Sequence, residues 1–566
     1  MAGRNAFRVL ELLSENADKS FNVNQIARLL GISVGSAFKI LKEFEKQKLV
    51  GSASHENQLL YCFKNSPKAL SALAELEKTI ADSSFKKTKI LCTIGPASAD
   101  RKTIARLIEK GMDAARLNAS HCTEDSALKL VNLIRSVSKE VPILLDIPGP
   151  KIRLTAIEAP VNVAKGQKVV FVKSAESPGK GIPLPNEQFF ASVKKGDKIF
   201  IDDGKLCLVA EKVSQNEIVC RSAGKGTIAK NKGVNCPDTK FGHGGISAVD
   251  RKWAEFAAKN DLEFVGYSFV RTAEDVKSLN EVLGYGNLNQ VISAKTKVIA
   301  KIETKEAIAN YKEIIKEAYG IMIDRGDLGS ETAYELVPKM QKKIVLECNR
   351  VGKPVIIATH MLESMIESNQ ASKAEISDIA NAVLDGASCL MLSAETAIGR
   401  YPLEAVETMS KVIKAMEGDI KPIENGSLRD VNLTNAIGKA IYELEKMLEI
   451  DATIVLTSGG YSARMIASHM PLPKIIAATS NEKIFRQLNI LWGVCPLLIS
   501  KGLDDISNEH KKEAILKAMQ KGYIGKRSVV VITGSVFNSG VKKTNLLEVH
   551  RVSEFLDYLE KSQKGR

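Results

Sequence analysis

From Thr88 to Ala397 the chain repeats one pattern: a short apolar, β-rich run, usually followed by a helical stretch. The runs are Lys89–Thr93, Ala114–Leu117, Ile143–Leu145, Phe264–Tyr267, Val298–Ile302, Gly320–Ile323, Val355–Ala358 and Cys389–Leu392. Eight such units predict eight parallel strands closed into a (β/α)8 TIM barrel, with the active site at the strands' C-terminal ends. Polar residues stand at those ends. Arg116, Asn118 and Ser120 are at the second, Asp146 after the third, and Ser268 and Arg271 after the fourth. Lys301 and Glu303 are at the fifth, Asp327 beyond the sixth, Thr359 after the seventh, and Ser393 and Glu395 after the eighth. Any one could be a loop or cap residue. Their convergence from seven strand ends points to a single site.

The fifth and sixth units carry the sharpest signal. Lys301 stands inside Val298-Ile299-Ala300-Lys301-Ile302, Glu303 follows at once, and Gly320–Ile323 leads into Asp324-Arg325-Gly326-Asp327. A lysine in a buried strand is costly unless a charged partner or ligand faces it. Glu303 and Asp327, at successive strand ends, can hold a divalent metal beside that lysine. Metal plus lysine suits the transfer of an anionic group. The competing reading of this stretch alone is a buried ion pair between neighbouring strands.

Residues 155–242 break the β/α rhythm. Val161–Val163, Lys168–Val172, Lys198–Asp203, Lys205–Lys212 and Glu217–Ser222 read as strands separated by turn signals such as Asp203-Gly204, with no strong helix. They predict an inserted all-β domain, a β-barrel lid that closes over the site and excludes water. From about 421 another α/β unit begins, with strands at Ala452–Leu456 and Ser528–Ile532. Its loop Thr457-Ser458-Gly459-Gly460-Tyr461-Ser462 precedes a helix and reads either as a phosphate-binding turn or as an ordinary one. No GxxxxGK[ST] occurs, so a P-loop does not hold the nucleotide.

The first 65 residues read as three helices, Asn5–Glu15, Val23–Leu30 and Val34–Gln47, then a hairpin over Leu49–Lys64 tipped by His55-Glu56-Asn57. Ser33 is placed to cap the third helix. The arrangement resembles a winged helix-turn-helix domain, whose recognition helix would present Ser36, Lys39, Glu43 and Lys46 to DNA. That fold also mediates protein contacts and ligand sensing. The predicted division is a winged-helix domain over 1–65, a linker helix over 66–85, the barrel over 86–154 and 243–420, the lid over 155–242 and a C-terminal α/β domain over 421–566.

A chain of 566 residues has room for these domains. No run of 18 apolar residues suggests a membrane span, and MAGRNAFRVLELL lacks the order of a secretory signal. Nine scattered cysteines without CxxC, and seven dispersed histidines, indicate reduced thiols in the cytoplasm and argue against a zinc site. The net charge is +14, but residues 1–85 hold 11 Lys/Arg against 9 Asp/Glu, so only +2 lies there. The other +12 suits phosphorylated small molecules.

The strand-end motifs resemble those of the pyruvate kinase family. They are Thr88–Ser98 (TKILCTIGPAS), Ala115–His121 (ARLNASH), Asp146–Arg153 (DIPGPKIR) and Ser268–Arg271 (SFVR). Ala300–Glu303 (AKIE), Arg325–Gly329 (RGDLG), Ala358–Met365 (ATHMLESM) and Leu392–Ala397 (LSAETA) complete the ring, over roughly residues 86–566. The resemblance implies transfer of a phosphoryl group from phosphoenolpyruvate to ADP, then protonation of the enolate to pyruvate. Position by position, it implies Glu303 and Asp327 as ligands of Mg2+ or Mn2+, and Lys301 as the cation on the phosphoryl group in flight. Arg116 would clamp the phosphate with its planar fork, with Ser268 beside it. Gly326 and Asp327 amides and Thr359 would hold the substrate carboxylate, and Thr359 would lie on the protonation side. Asn118, His121, Arg153 and Lys232 look like nucleotide contacts, with Lys232 arriving on lid closure. Thr457 and Ser462 match positions that bind an effector phosphate, and a homotetramer is implied.

Asn118, Ser120, Asp146 and the Ile147 carbonyl match the family's K+ ligands. Potassium-dependent members carry Glu where this chain has Lys151, whose ammonium can take the monovalent cation's role, so activity is expected without added K+. His360 stands in place of Gln, Asp324 in place of Ala, and Ala371-Ser372-Lys373-Ala374-Glu375 in place of Pro-Thr-Arg-Ala-Glu. The loop Ser458–Tyr461 departs from the version that grips fructose 1,6-bisphosphate, which leaves the effector open. A different reading, a transcriptional regulator on a retired kinase scaffold, is opposed by the presence of Arg116, Lys301, Glu303, Asp327 and Thr359 together.

Overall fold

The computed structural model describes residues 6–564 except 7–8, 11, 15, 56–57, 70–71, 73–84, 155–156, 158, 175–180, 203, 242–244, 286–294, 421–432, 504–505 and 536–543. Eight parallel strands close into a barrel. They are β1 (Lys89–Thr93), β2 (Ala114–Asn118), β3 (Ile143–Ile147), β4 (Phe264–Tyr267), β5 (Lys297–Ile302), β6 (Gly320–Asp324), β7 (Val355–Ala358) and β8 (Cys389–Leu392). Every run read from the sequence is a strand. Those at β2, β3, β5 and β6 extend one or two residues further, through Asn118, Asp146, Ile147, Lys297 and Asp324, whose backbones pair with neighbouring strands.

The barrel's inner layers follow from the two-residue period of a strand. Leu91, Ala114, Leu144, Phe264, Ile299, Met322 and Ile356 form one buried cluster inside the barrel. Their neighbours Ile90, Ala115, Ile143, Val265, Val298, Ile321 and Ile357 belong to a second cluster, packed against the surrounding helices. Two residues beyond the inner set, on the same face, come Thr93, Arg116, Asp146, Gly266, Lys301, Asp324 and Ala358. The apolar plug therefore ends one step below a polar layer at the strands' C-terminal ends. Gly266 and Ala358 keep that layer open, since a β-carbon at Gly266 would already lie 3.4 Å from Asp146 Oδ1.

The interval after β3 forms a seven-stranded sheet and a separate two-stranded ribbon, Val161–Val163 with Gly226–Ile228. In the sheet, Lys168–Val172, Glu217–Ser222, Leu206–Val213 and Lys198–Ile201 follow one another, then Gly233–Asn235 and Ile152–Arg153. Among the described residues its hydrogen-bonded order is open, and one edge strand, Ile182–Pro183, is only two residues long and holds a proline. The short helix Glu187–Ser192, capped by Asn186, also went unread.

The C-terminal sheet runs Val494–Leu498, Lys474–Thr479, Ala452–Leu456, Val529–Gly534, with antiparallel Leu546–Arg551 at its edge. It is tied to the barrel by Glu263, just before β4. Glu263 accepts from Arg486 Nε at 2.5 Å, Arg135 Nη2 at 2.7 Å and Ile143 N at 2.7 Å.

Near the N-terminus, helices Val23–Leu30 and Val34–Lys46 are joined through Gly31 (φ 64°), and Ser33 caps the second by accepting from Ser36 N at 3.2 Å. Val50–His55 and Gln58–Phe63 pair as the hairpin, and Phe21–Asn22 adds a third strand too short to read from sequence. Described positions within 6–14 are helical, and Val9, Leu10 and Leu13 pack with Ile26, Leu41, Phe44 and Tyr61. Glu56 and Asn57 of the hairpin tip, and most of the expected linker helix, lie outside the described residues.

Candidate active site

Lys301 stands in the polar layer of the barrel, 4 % exposed. Its Nζ lies 2.8 Å from Glu303 Oε1, 3.2 Å from Asp146 Oδ2 and 3.3 Å from Asp324 Oδ2, and donates to Ser268 Oγ at 3.2 Å. Burial works against this ammonium, but Asp146, Glu303 and Asp324 outweigh it and hold its pKa well above the usual lysine value. Asp146 is shared. It accepts from Arg116 Nε at 2.8 Å and from Ser268 Oγ at 3.1 Å. Arg116 also donates to Thr93 Oγ1 at 2.9 Å. Two cations and three carboxylates thus meet across β2, β3, β5 and β6.

The carboxylates are not equivalent. Burial, helped by Asp327 and Asp324 against the pull of Lys301, pushes Glu303 up to about 8. Burial and the neighbouring Asp324 raise Asp327, with Lys151 opposing. Asp324 ends below its ordinary value because Lys301 and Arg116 outweigh its burial. Oxygens of Glu303, Asp324 and Asp327 lie within 4.8 Å of one another. Glu303 Oε2 accepts from Phe269 N at 2.6 Å, while buried Oε1 has the Lys301 ion pair but no well-aligned hydrogen bond. Clustered hard oxygens with raised carboxyl pKa values fit a hard divalent cation, which would favour their ionised forms.

Three loops shape the rim. Gly149 (φ 66°) packs so closely on β4's end that a β-carbon would sit 2.0 Å from Ser268 O. This close approach carries Lys151 over the site, where its Nζ meets Asp327 Oδ1 at 2.5 Å and lies 4.8 Å from the centre of the Phe269 ring. Phe269 (φ 55°), Thr359 (φ 65°) and His360 (φ 54°) hold left-handed backbone, strain of the kind that gathers at functional sites. Arg325, paired with Asp378 at 2.8 Å, locks the β7 loop by donating Nη2 to Thr359 O at 2.6 Å. Thr359 Oγ1 accepts from Gly326 N at 2.9 Å and donates toward Asp324 Oδ1 at 3.1 Å.

The cavity among these groups is lined by Arg116, Asn118, Ser120, Asp146, Ile147, Lys151, Arg153, Ser268, Lys301, Glu303 and Asp327, with Asp324 and Phe269. Thr359 and Gly326 join it through their hydrogen bonds to each other and to Asp324. His121, exposed on the turn Ala119–His121, does not line it. Nor does Lys232, which pairs with Asp202 at 2.9 Å on the inserted sheet. That sheet nevertheless reaches the site. Gly233 lies where a β-carbon would be 2.6 Å from Lys151 Cε, and Asn235 donates to Glu331 of the barrel at 2.7 Å. Arg271 stacks on Phe241, 4.8 Å from its ring centre, and lines an adjacent cleft. Glu395 is a loop clasp, accepting from Ser393 N at 2.7 Å and Leu362 N at 3.2 Å.

Asp324 and Phe269 are the functional side chains the sequence reading underused. Asp324 follows Met322 by two residues, so strand alternation alone places it with Lys301. Nothing local announces the Phe269 ring as a partner for Lys151. Elsewhere, Thr457 Oγ1 accepts from Gly460 N at 3.0 Å, and Ser462 Oγ lies 2.5 Å from Thr544 Oγ1. Lys39, Glu43 and Lys46 are exposed and Ser36 half-exposed on their helix. Thr533 and Gly534 end a C-terminal strand. All nine cysteines are free thiols, and among the described residues no helix is long and apolar enough to cross a membrane.

Residues 85–406 match the family described as "Pyruvate kinase, barrel domain", and residues 435–550 match "Pyruvate kinase, alpha/beta domain". The pyruvate kinase of Sporosarcina psychrophila is 35% identical over 486 residues, covering 83% of this chain and 81% of that protein. That of Staphylococcus aureus strain USA300 is 35% identical over 484 residues, with the same coverage. A solved pyruvate kinase from Cryptosporidium parvum superposes with a TM-score of 0.76 at 33% identity, over 84% of this chain and 97% of that one. Residues 1–84 precede both matched segments.

Proposed function

Because the chain belongs to the pyruvate kinase family, transferring the phosphoryl group of phosphoenolpyruvate to ADP to give pyruvate and ATP, we propose how its residues divide that work. The observation that carries the assignment is buried Lys301, with three carboxylates within 3.3 Å and Arg116 on the same Asp146. Lys301 and Arg116 neutralise the phosphoryl oxygens as charge shifts among them, and Ser268 keeps the ammonium aimed. Both cations are held before substrate arrives, so little reorganisation is needed during transfer. Gly326, Asp327 and Thr359 hold the substrate carboxylate. Thr359, fixed by Asp324 and Gly326, faces the enolate where it takes its proton.

Glu303 and Asp327 are the residues to hold Mg2+ or Mn2+, with Asp324 in reach. A divalent ion bound there supplies Lewis-acid neutralisation of phosphate charge. Asn118, His121, Arg153 and Lys232 serve the nucleotide. The last is brought in by movement of the inserted domain, a reading supported by that domain's contacts through Gly233 and Asn235. Asn118, Ser120, Asp146 and the Ile147 carbonyl would form a monovalent-cation site. Lys151, pinned between Asp327 and the Phe269 ring, supplies that positive charge instead. Assembly as a cytoplasmic homotetramer belongs to the same proposal, with light scattering of the full chain as its check.

For residues 1–65 we propose a winged helix-turn-helix domain that binds DNA through Ser36, Lys39 and Lys46. Its support is the capped helix pair beside a three-stranded sheet, with both lysines solvent-facing. Glu43, on the same helix, limits the affinity.

A coupled assay with phosphoenolpyruvate, ADP and Mg2+ tests the barrel. Lys301→Met lowers turnover at least about a thousandfold, roughly 4 kcal/mol of transition-state stabilisation, with an unchanged circular dichroism spectrum. Full rate in that variant ends its assignment. In buffer freed of K+ and Na+ the wild-type rate persists, whereas a rate near zero that K+ restores removes Lys151 from the cation role. Phosphorylated sugars or nucleotides acting through Thr457 and Ser462 shift the substrate saturation curve. A curve unmoved by a panel of them removes the effector site. Duplex DNA binds the full chain at low salt, weakens as salt rises and weakens further with Lys39→Glu. No binding at low salt leaves the domain as a protein-interaction module.

A further inference from the structure

A second set of cations, two buried and one half-buried, lies at the opposite end of the barrel, against the C-terminal domain. Lys297 opens β5, Lys353 precedes β7, and Arg464 comes from helix Tyr461–Ala467 of the C-terminal domain. A small cleft is lined there by Lys353, Arg464 and Trp492, with Asn349, Ser388 and Ser468 on its walls. Among the described residues no carboxylate lines it.

Lys353 Nζ is already engaged, donating to Lys316 O at 3.1 Å and to Ala318 O, so the unmet donors are on Arg464 and Trp492. Arg464 and Trp492 are each 4 % exposed, yet Arg464 Nε and Nη1 and Trp492 Nε1 are buried without a hydrogen-bond partner. The polar walls are already engaged. Asn349 donates to Gly386 O at 3.0 Å, Ser468 Oγ to Met465 O at 2.6 Å, and Ser388 Oγ accepts from Val355 N at 3.2 Å. Around the guanidinium stand the rings of Tyr461 and Tyr319, 5.6 Å and 5.9 Å from its carbon. Burial, then Arg464, pushes Lys353 down to about 7. Burial, then Arg464, Lys483 and Lys353, does the same to Lys297. A buried guanidinium without a carboxylate is costly, and removing such a charge or supplying its counterion relieves that cost. A water molecule would satisfy the N–H groups but leave the positive charge uncompensated.

We propose that this cleft is a binding site for a small oxyanion, a phosphate or carboxylate group, held by the Arg464 fork and the Trp492 indole N–H. An anion there joins the base of the barrel to the helix that follows the Thr457–Ser462 loop. It is a point of communication between the domains, separate from the catalytic cavity.

Trp492 makes the site readable, because the chain has only one other tryptophan, Trp253. The full chain carrying Trp253→Phe is titrated with sodium phosphate and with sodium acetate, each against sodium chloride at matched ionic strength. A saturable change in Trp492 emission is expected with at least one oxyanion, and the two arms tell phosphate from carboxylate. Arg464→Met abolishes that change and raises the thermal unfolding midpoint in oxyanion-free buffer. Arg464→Lys, which keeps charge but loses the fork, weakens binding about tenfold. If Trp253→Phe does not fold, the difference between wild-type and Arg464→Met titrations gives the same reading. The proposal is overturned if neither oxyanion changes the emission, or if Arg464→Met responds like its parent.

Discussion

The Lys301 ammonium and its carboxylates are the interaction on which the catalytic end of the barrel depends. A lysine buried to this degree survives as a cation only because Asp146, Glu303 and Asp324 surround it from three strands. None of these acids is stable there alone, since stripping one partner from a buried pair costs about 3–5 kcal/mol. The cluster therefore requires β3, β5 and β6 to be in register, and strand register is what barrel closure enforces. The same closure brings Arg116 from β2 onto Asp146. Stability and preorganisation come from one set of contacts: cations fixed for folding are already oriented for a transferring phosphoryl group.

Much of this was legible because strand geometry has a period of two. Once eight strands are recognised, the residue two steps beyond each inner apolar residue falls in the polar layer. That rule yields Thr93, Arg116, Asp146, Lys301 and Asp324 without any family knowledge. Where reading failed, the cause was length or distance. Phe21–Asn22, Gly233–Asn235 and Ile152–Arg153 are too short to show alternation, and they exist because neighbouring strands supply their hydrogen bonds. The Phe269 ring meets Lys151 through a left-handed loop and a glycine packed on Ser268 O. Those are tertiary facts, invisible to local pattern. His121 and Lys232, read by motif as nucleotide contacts, stand outside the cavity lining in this arrangement of the inserted domain.

The residues that depart from the family's pattern make sense together. Lys151 brings a positive charge to the rim and occupies one oxygen of Asp327. Asp324 adds a carboxylate below it and orients Thr359. Charge entering from the loop after β3 is thus matched by charge entering from the end of β6. Treated singly, Lys151 would weaken Asp327 as a metal ligand and Asp324 would be one buried acid too many. Treated together, they add one positive and one negative side chain to the same cavity.

The two ends of the barrel apply opposite solutions to the same electrostatic problem. At the C-terminal end each cation has its carboxylates, so the site is stable before substrate arrives. At the N-terminal end Arg464 and Lys353 face a cleft that no acid lines among the described residues, and Lys297 lies close enough to feel both charges. The cost of that arrangement falls on the contact between barrel and C-terminal domain, which elsewhere is held firmly by Glu263 between Arg135 and Arg486. A domain contact with one saturated clasp and one unsaturated guanidinium, that of Arg464, has its tightness set by whatever anion meets the second. In the catalytic cavity, by contrast, Lys301 and Arg116 already have carboxylate partners within the chain.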